Sequence, residues 1–144
     1  MKLTILAIGR NRDADLGRLI ESYRQRCPWS VKLVELVPRK GESEAARLDR
    51  AMPAGDVLVA LDEHGALATS EALAARLGGW REAGRSVTLL IGGADGLDPA
   101  LLQQADWQLA MGRLTWPHML VRLLLMEQLY RASTILSGHP YHRA

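Results

Sequence analysis

Short runs of apolar residues alternate along the chain with longer segments of helical periodicity. Five runs rich in leucine and β-branched residues predict strands, over 2–8, 31–37, 57–61, 87–91 and 107–111. Apolar positions three and four residues apart predict the helices that follow each strand, over 13–27, 42–52, 70–82, 98–104 and 117–138. This alternation predicts one α/β domain over residues 1–144, with a mostly parallel sheet flanked by helices.

Several helix ends carry capping signals. Ser70 is the predicted N-cap of the third helix, and Thr115 is a candidate cap of the last one. Asp98 precedes Pro99, and a capping residue followed by proline is typical of a helix start. Because glycine weakens a helix interior, we expect Gly78-Gly79 to loosen the third helix.

Three polar or glycine-rich segments follow predicted strands, namely 61–65, 91–97 and 112–117. In open parallel sheets, ligands bind beyond the carboxyl ends of the strands. The sequence therefore predicts a site among these three segments. Asp62, Glu63 and His64 in the first segment are either acid–base groups or solvated loop charges.

The segment Gly92-Gly93-Ala94-Asp95-Gly96 follows a buried strand. It is neither a dinucleotide fingerprint nor a P-loop, because the required spacing and the Gly-Lys-Ser/Thr ending are absent. Three glycines in five residues suit both a tight turn and the close approach of backbone N–H groups to a ligand. The spacing alone does not separate these two interpretations.

The last helix is apolar almost all round, so it must be buried on two sides. In so short a chain, one of those sides favours a second subunit. His118 and Arg122 lie one turn apart and share a face of this helix. The tail 138–143 combines two histidines, a tyrosine and an arginine, and it is either a frayed end or a positioned segment. A zinc site of His118, His139 and His142 is disfavoured because no thiolate or carboxylate lies nearby in sequence.

Charge is unevenly distributed although the net charge is only +2. Residues 1–40, 41–106 and 107–144 carry net charges of +5, −6 and +3, and arginine provides fifteen of the eighteen basic residues. Two basic ends favour a polyanionic partner if they meet in space. The single cysteine, Cys27, excludes an internal disulfide framework. The absence of a membrane-length apolar stretch or a signal peptide pattern leads us to expect a cytoplasmic protein.

Four sequence features together resemble a known family. They are Leu61-Asp62 with a glycine soon after, the loop 91–97, the segment Leu114-Thr115-Trp116-Pro117-His118 continuing through Arg122 to Glu127-x-Leu129-Tyr130-Arg131-Ala132, and the ending His139-Pro140-Tyr141-His142-Arg143. The chain resembles the RlmH family, ribosomal RNA large-subunit methyltransferases of the SPOUT superfamily. The resemblance spans the whole chain and is strongest from Leu61 to the end.

The resemblance implies a C-terminal trefoil knot, a homodimer and S-adenosyl-L-methionine as cofactor, with no metal. The implied substrate is N3 of a pseudouridine in large-subunit (23S) ribosomal RNA on the assembled ribosome. The implied cofactor residues are Leu61, Gly93, Gly112, Arg113, Leu114, Thr115, Trp116 and Pro117. The implied catalytic residues are Tyr141, His142 and Arg143, which would reach the partner subunit's site.

His118 and Arg122 are candidate substrate-binding residues, because an arginine binds phosphate or stabilises negative charge on a base. His142 is a candidate for accepting the N3 proton because imidazole is a common general base, although water or another residue would also serve. Two alternatives remain at this point. One is a non-enzymatic ribosome-associated or RNA-binding protein, and the other is a small-molecule enzyme with a nucleotide at the glycine loop.

Overall fold

The computed structural model describes residues 1–143, which form ten regular elements. The strands are β1 (Lys2–Ile8), β2 (Ser30–Leu36), β3 (Val57–Leu67), β4 (Val87–Ile91) and β5 (Trp107–Ala110). The helices are α1 (Ala14–Arg26), α2 (Glu44–Ala51), α3 (Ser70–Glu82), α4 (Pro99–Gln104) and α5 (His118–Ser137). Existence and order of all ten elements agree with the sequence prediction.

The five strands form one sheet in the order β2-β1-β4-β3-β5, and every pair is parallel. The predicted α/β architecture with a parallel sheet is therefore confirmed. All carboxyl ends lie at the same edge of the sheet, which we call the carboxyl edge. The 62–65 segment of β3 and the segments after β4 and β5 meet there because these strands are neighbours.

Two apolar layers cover the sheet. Along β1, Leu3, Ile5 and Ala7 join the core beneath α1, α3 and α5, whereas Leu6 and Ile8 join the core beneath α2 and α4. Alternate side chains of a strand face opposite sides, so burial on both sides requires a continuous apolar run. This explains why β1 and β4 lack a polar alternation.

Helix α5 packs between α1 and α3, which accounts for most of its apolar circumference. Gly78 of α3 permits this packing, since a Cβ at that position would lie 3.1 Å from the side chain of Leu136. The expectation that Gly78-Gly79 loosens α3 was wrong, because the helix continues through both glycines. Gly78 allows the close approach of the two helices, whereas a Cβ at Gly79 would have nothing within 4 Å.

Strand β3 is longer than predicted. It continues from Leu61 to Leu67 through an irregularity between Leu61 and Ala66, where its register against Leu109 of β5 shifts. Residues 62–65 therefore form a bulge inside the strand and not a loop after it. Gly65 permits the bulge, because a Cβ there would lie 2.7 Å from the carbonyl oxygen of Gln108.

Two predicted caps were also wrong. Thr69 caps α3 by accepting a hydrogen bond from the N–H of Ala72 at 3.0 Å, while the Ser70 hydroxyl donates to Gln128 of α5. Helix α5 begins after Pro117 with no side-chain cap, so Thr115 does not serve that function. Within residues 1–143, no helix is long and apolar enough to cross a membrane.

Candidate functional site

A cavity of about 920 Å³ opens at the carboxyl edge, over the ends of β3, β4 and β5. Its walls come from residues 61–64, the glycine loop 91–97, residues 111–112 and residues 114–117, with Leu102 of α4 and the first turn of α5 completing it. The position agrees with the site predicted from the strand ends. Its size lies within the range of small-molecule and cofactor sites.

The glycine loop is a tight turn that also forms a wall of the cavity. The N–H of Gly96 donates to the carbonyl of Gly93 at 3.0 Å, and Gly96 has φ +78°. A Cβ at Gly92 would lie 2.7 Å from the backbone of Gly96, whereas a Cβ at Gly93 would meet only the carboxylate of Glu44. The tight-turn interpretation of the glycines is therefore confirmed, the approach of the backbone to a ligand stays a prediction, and Gly92 is the sterically required residue that the sequence did not single out.

The loop 112–117 is tied to the bulge of β3. Arg113 Nη1 donates to the carbonyl of Glu63 at 2.8 Å, and the Thr115 hydroxyl donates to the Glu63 carboxylate at 3.4 Å. Trp116 Nε1 donates to the carbonyl of Met111 at 3.1 Å. These bonds hold the loop against the sheet, and the Arg113 side chain is one of the groups that link the two. Arg113 consequently does not line the cavity, contrary to its expected position.

The cavity combines an apolar floor with acidic walls. The floor is built from Leu61, Ile91, Leu97, Leu102, Leu109 and Met111. Asp62, Glu63 and Asp95 supply carboxylates, and within residues 1–143 no lysine or arginine lines the cavity. The surroundings therefore suit a ligand with positive charge and an apolar or aromatic portion.

Arg122 is the clearest correction to the predicted site. Its side chain is fully buried, donates to the carboxylate of Glu35, and donates to the carbonyls of Ile8 at 2.6 Å and Gly9 at 3.0 Å. The N–H of Asn11 binds the same carboxylate at 2.6 Å. Burial lowers the pKa of Arg122, and the charge of Glu35 opposes that shift. Arg122 thus fixes the β1–α1 loop on α5. It is not exposed for substrate contact, because the end of β1 covers the side of α5 that carries this residue.

Replacing Arg122 with methionine should destabilise the fold by about 3 kcal/mol, since Glu35 and two buried carbonyls would lose their partner. Urea unfolding measures this difference. Exposed Arg81→Met is the matched control, with an expected loss within about 0.5 kcal/mol. Full stability of the Arg122 variant together with lost ribosome binding would restore a direct substrate role.

The C-terminal tail folds back along α5. After Gly138, which has φ +76°, the Tyr141 hydroxyl reaches the carboxylate of Glu127 at 2.8 Å. His142 lies between Arg131 and Glu71. Burial is the main cause that raises the pKa of Tyr141, with the bond to Glu127 adding to it. The tail is therefore a positioned segment, and it lies outside the cavity.

A family described as "Predicted SPOUT methyltransferase" matches residues 1–142. The chain belongs to the SPOUT methyltransferase family. The family predicted from the motifs is thereby confirmed.

Relatives named "Ribosomal RNA large subunit methyltransferase H" match this SPOUT methyltransferase along its length. The protein from Rhodospirillum centenum is 49% identical, and the match covers 100% of both chains. The proteins from Cereibacter sphaeroides (strain ATCC 17025) and Paracoccus denitrificans are 50% and 46% identical, and each match covers 99% of both chains.

Two solved structures share the fold. A probable methylase family protein from Haemophilus influenzae has a TM-score of 0.62 at 10% identity, over 99% of this chain and 70% of that one. The SpoU methyltransferase AviRb from Streptomyces viridochromogenes, solved in complex with AdoMet, has a TM-score of 0.51 at 18% identity, over 95% of this chain and 62% of that one. At these identities the likeness establishes the fold.

Most of the predicted site residues of this SPOUT methyltransferase meet at one cavity. Those that line it are Leu61, Gly93, Gly112, Leu114, Thr115, Trp116, Pro117 and His118. Arg113, Arg122 and the tail do not line it. The sequence prediction of the site did not include Leu102 and Met111, which also line the cavity. Leu102 could have been found, because it lies in the short helix that directly follows the glycine loop.

Proposed function

We propose that this protein uses S-adenosylmethionine to methylate large-subunit ribosomal RNA. The finer proposal is transfer to N3 of a pseudouridine in the 23S RNA of the assembled ribosome. The observation that carries it is the full-length relationship to proteins named ribosomal RNA large subunit methyltransferase H. A cavity of cofactor size, built from the same segments that carry the motif resemblance, argues against a purely RNA-binding role.

The chemistry of the cavity fits S-adenosylmethionine. Its sulfonium and ammonium groups are cationic, and Asp62, Glu63 and Asp95 offer negative charge. Its adenine is matched by the apolar floor and by backbone groups of the glycine and 112–117 loops. When bound, this cofactor supplies an already activated methyl group. The protein's own task is therefore to orient the acceptor nitrogen and to exclude water.

The reacting base must leave its stacked position to reach this cavity. His118 lies at its wall in the first turn of α5. We propose that His118 contacts the substrate base, and that Tyr141, His142 and Arg143 contribute to transfer in the partner subunit's site. The position of the tail outside its own cavity supports an action in trans.

Basic loops beside the cavity support an RNA substrate. Arg10 and Arg12 follow β1, and Arg39 and Lys40 follow β2; the two strands are joined at the carboxyl edge by the bond from Gly9 N–H to the Leu36 carbonyl at 2.8 Å. Within the described chain, none of these four cations forms an ion pair.

Two of the neighbouring carboxylates are already engaged. Glu35 binds Arg122, and hydrogen bonds led by Arg50 lower the pKa of Glu42 to about 2. The positive charge of the β1–α1 and β2–α2 loops is therefore available for phosphates.

Reversing two of these charges, as in Arg10→Glu with Arg39→Glu, should raise the KM for ribosomes roughly tenfold and flatten its salt dependence. The Kd for S-adenosylmethionine should not change. The matched control reverses the exposed Arg81 and Arg85 at the opposite edge of the sheet, where we expect no effect. Equal KM values for the two double variants would contradict the proposed RNA surface.

Exposed apolar residues support a homodimer. Leu67 at the end of β3, Leu114 and Trp116 in the loop after β5, and Leu120 in α5 are between 40% and 72% exposed. Leu114 and Trp116 also line the cavity, so a second copy seated here would complete the site.

The C-terminal trefoil knot stays part of the proposal, as does a cytoplasmic location, where ribosomes are found.

Leu120→Asp should convert the dimer to monomer at micromolar concentration, because a buried charge opposes an apolar interface. Sedimentation velocity measures this. Leu19→Asp is the matched control, since Leu19 is 51% exposed on α1 and does not line the cavity. A wild-type protein that sediments as an active monomer would contradict the dimer.

Mass spectrometry of ribosomal RNA from cells lacking the protein is the most direct test of function. We expect the loss of one methyl group from a pseudouridine in 23S RNA. Purified protein should restore it with S-adenosylmethionine and ribosomes, but should not methylate free nucleosides. Unchanged RNA would refute the proposal, while ribosome binding without cofactor binding would establish the non-enzymatic alternative.

A further inference from the structure

Side chains of α3 and α5 hold the tail in place through hydrogen bonds and ring contacts. Glu127 accepts bonds from the Tyr141 hydroxyl at 2.8 Å and from Arg131 Nε at 3.0 Å. The Tyr141 ring lies 4.6 Å from the Tyr130 ring, and the Arg131 guanidinium lies 4.8 Å from the Tyr141 ring. Tyr141 is therefore fixed through both its hydroxyl and its ring.

His142 is held at both ring nitrogens. Arg131 Nη1 lies 3.1 Å from Nδ1, and Glu71 Oε1 lies 2.9 Å from Nε2. A guanidinium only donates hydrogen bonds, so Nδ1 must be the acceptor, and the ring proton must lie on Nε2, where it donates to Glu71. The imidazole is thus neutral, with its one free lone pair already used. In this position it cannot accept a proton without breaking the bond to Arg131.

Arg143 differs from the two residues before it. It is exposed, and within residues 1–143 it forms neither an ion pair nor a side-chain hydrogen bond. The tail therefore has two fixed side chains followed by one cation that is free to meet an anionic partner.

We propose that Glu71, Glu127 and Arg131 form a clamp of positioning residues, with Tyr141 and His142 as the anchors it holds, so that Arg143 is the tail group presented to RNA. This assignment rests on the proposed function and divides the roles within the tail. Tyr141 and His142 act through geometry, and neither takes the proton from the substrate. The Arg143 guanidinium binds phosphate or the polar edge of the base.

Turnover on ribosomes tests the clamp by a double-mutant cycle. Tyr141→Phe and Glu127→Gln should each lower kcat roughly tenfold while the Kd for S-adenosylmethionine stays unchanged, because the first removes the Tyr141–Glu127 bond and the second removes the charge that strengthens it, both outside the cofactor cavity. Glu127→Gln also loses the ion pair with Arg131, but the double variant should lose less than the product of the two single losses, since both variants act on the Tyr141–Glu127 bond. Tyr130→Phe is the control: it keeps the ring that packs against Tyr141 and loses a 3.5 Å contact to Arg26. Full turnover in Tyr141→Phe, or additive losses in the double variant, would overturn the clamp.

Nitrogen-15 NMR of the histidine rings gives a readout independent of activity. His142 in the wild-type protein should show the two separate shifts of a neutral ring protonated at Nε2. In Glu71→Gln with Arg131→Met, averaged shifts of a freely exchanging ring should appear. Averaged shifts already in the wild type would refute the clamp even if methyl transfer is demonstrated. Absent methyl transfer with a fixed His142 would instead refute the proposed function alone.

Discussion

Replacing Gly92 with alanine should raise the Kd for S-adenosylmethionine at least about 100-fold. The added methyl group would lie 2.7 Å from the carbonyl group of Gly96, which is backbone and cannot rotate away. The turn between Gly93 and Gly96 must then open, and the wall of the cavity moves with it. Titration calorimetry measures the loss, and circular dichroism should show an intact fold because the clash lies beyond the end of β4.

Gly93→Ala provides the matched control for Gly92→Ala. Its methyl group would meet only the carboxylate of Glu44, the end of an exposed and flexible side chain that can move aside. We expect a loss in cofactor affinity of less than about fivefold. Equal losses in the two variants would mean that the loop is not held by the close approach at Gly92.

A chain truncated after Pro140 should lose methyl transfer to ribosomes by at least about 100-fold while it keeps its affinity for S-adenosylmethionine. The cause is the loss of Arg143 together with its two anchors. The structure also predicts a loss of thermal stability, which the sequence alone did not indicate. Because the Tyr141 hydroxyl bond to Glu127 and the ring contact with Tyr130 disappear, the Tm should fall by roughly 5 °C.

Mixed dimers distinguish action in trans from action within one subunit. A truncated subunit paired with a Gly92→Ala subunit leaves one cavity with an intact glycine loop and a tail donated by its partner. Partial recovery of turnover is therefore expected, although each parental homodimer is inactive. No recovery after demonstrated subunit exchange would assign the tail to its own subunit. Full activity of the truncated homodimer would remove the tail from the mechanism.

The strands and their order along the chain could be predicted because burial on both faces imposes a local, continuous apolar pattern. The cavity could be predicted because three distinctive segments follow three strands. The bulge in β3 could not, because residues 62–65 are polar and contain a glycine, and this pattern is equally typical of a loop. What distinguishes the two is the backbone of Gln108, more than forty residues away.

Arg122 and the tail show a second limit. Helical spacing correctly put Arg122 one turn from His118, but spacing does not reveal which element covers a given side of a helix. The tail's partners are remote in sequence, since Glu71 precedes His142 by 71 positions. The sequence near the tail therefore gave no indication that Tyr141 and His142 are held in place.

Helix α5 contributes to every part of this site: His118 to the cavity wall, Arg122 to the basic β1–α1 loop, and Glu127 with Arg131 to the tail clamp. A helix turns by about 100° per residue. A single inserted residue between Arg122 and Glu127 would rotate one group of contacts by that angle relative to the other, and no loop lies between them to absorb the error. Changes in chain length should therefore be tolerated in the surface loops of this protein but not within α5. This helix sets the distances and angles between the cavity, the basic β1–α1 loop and the tail clamp.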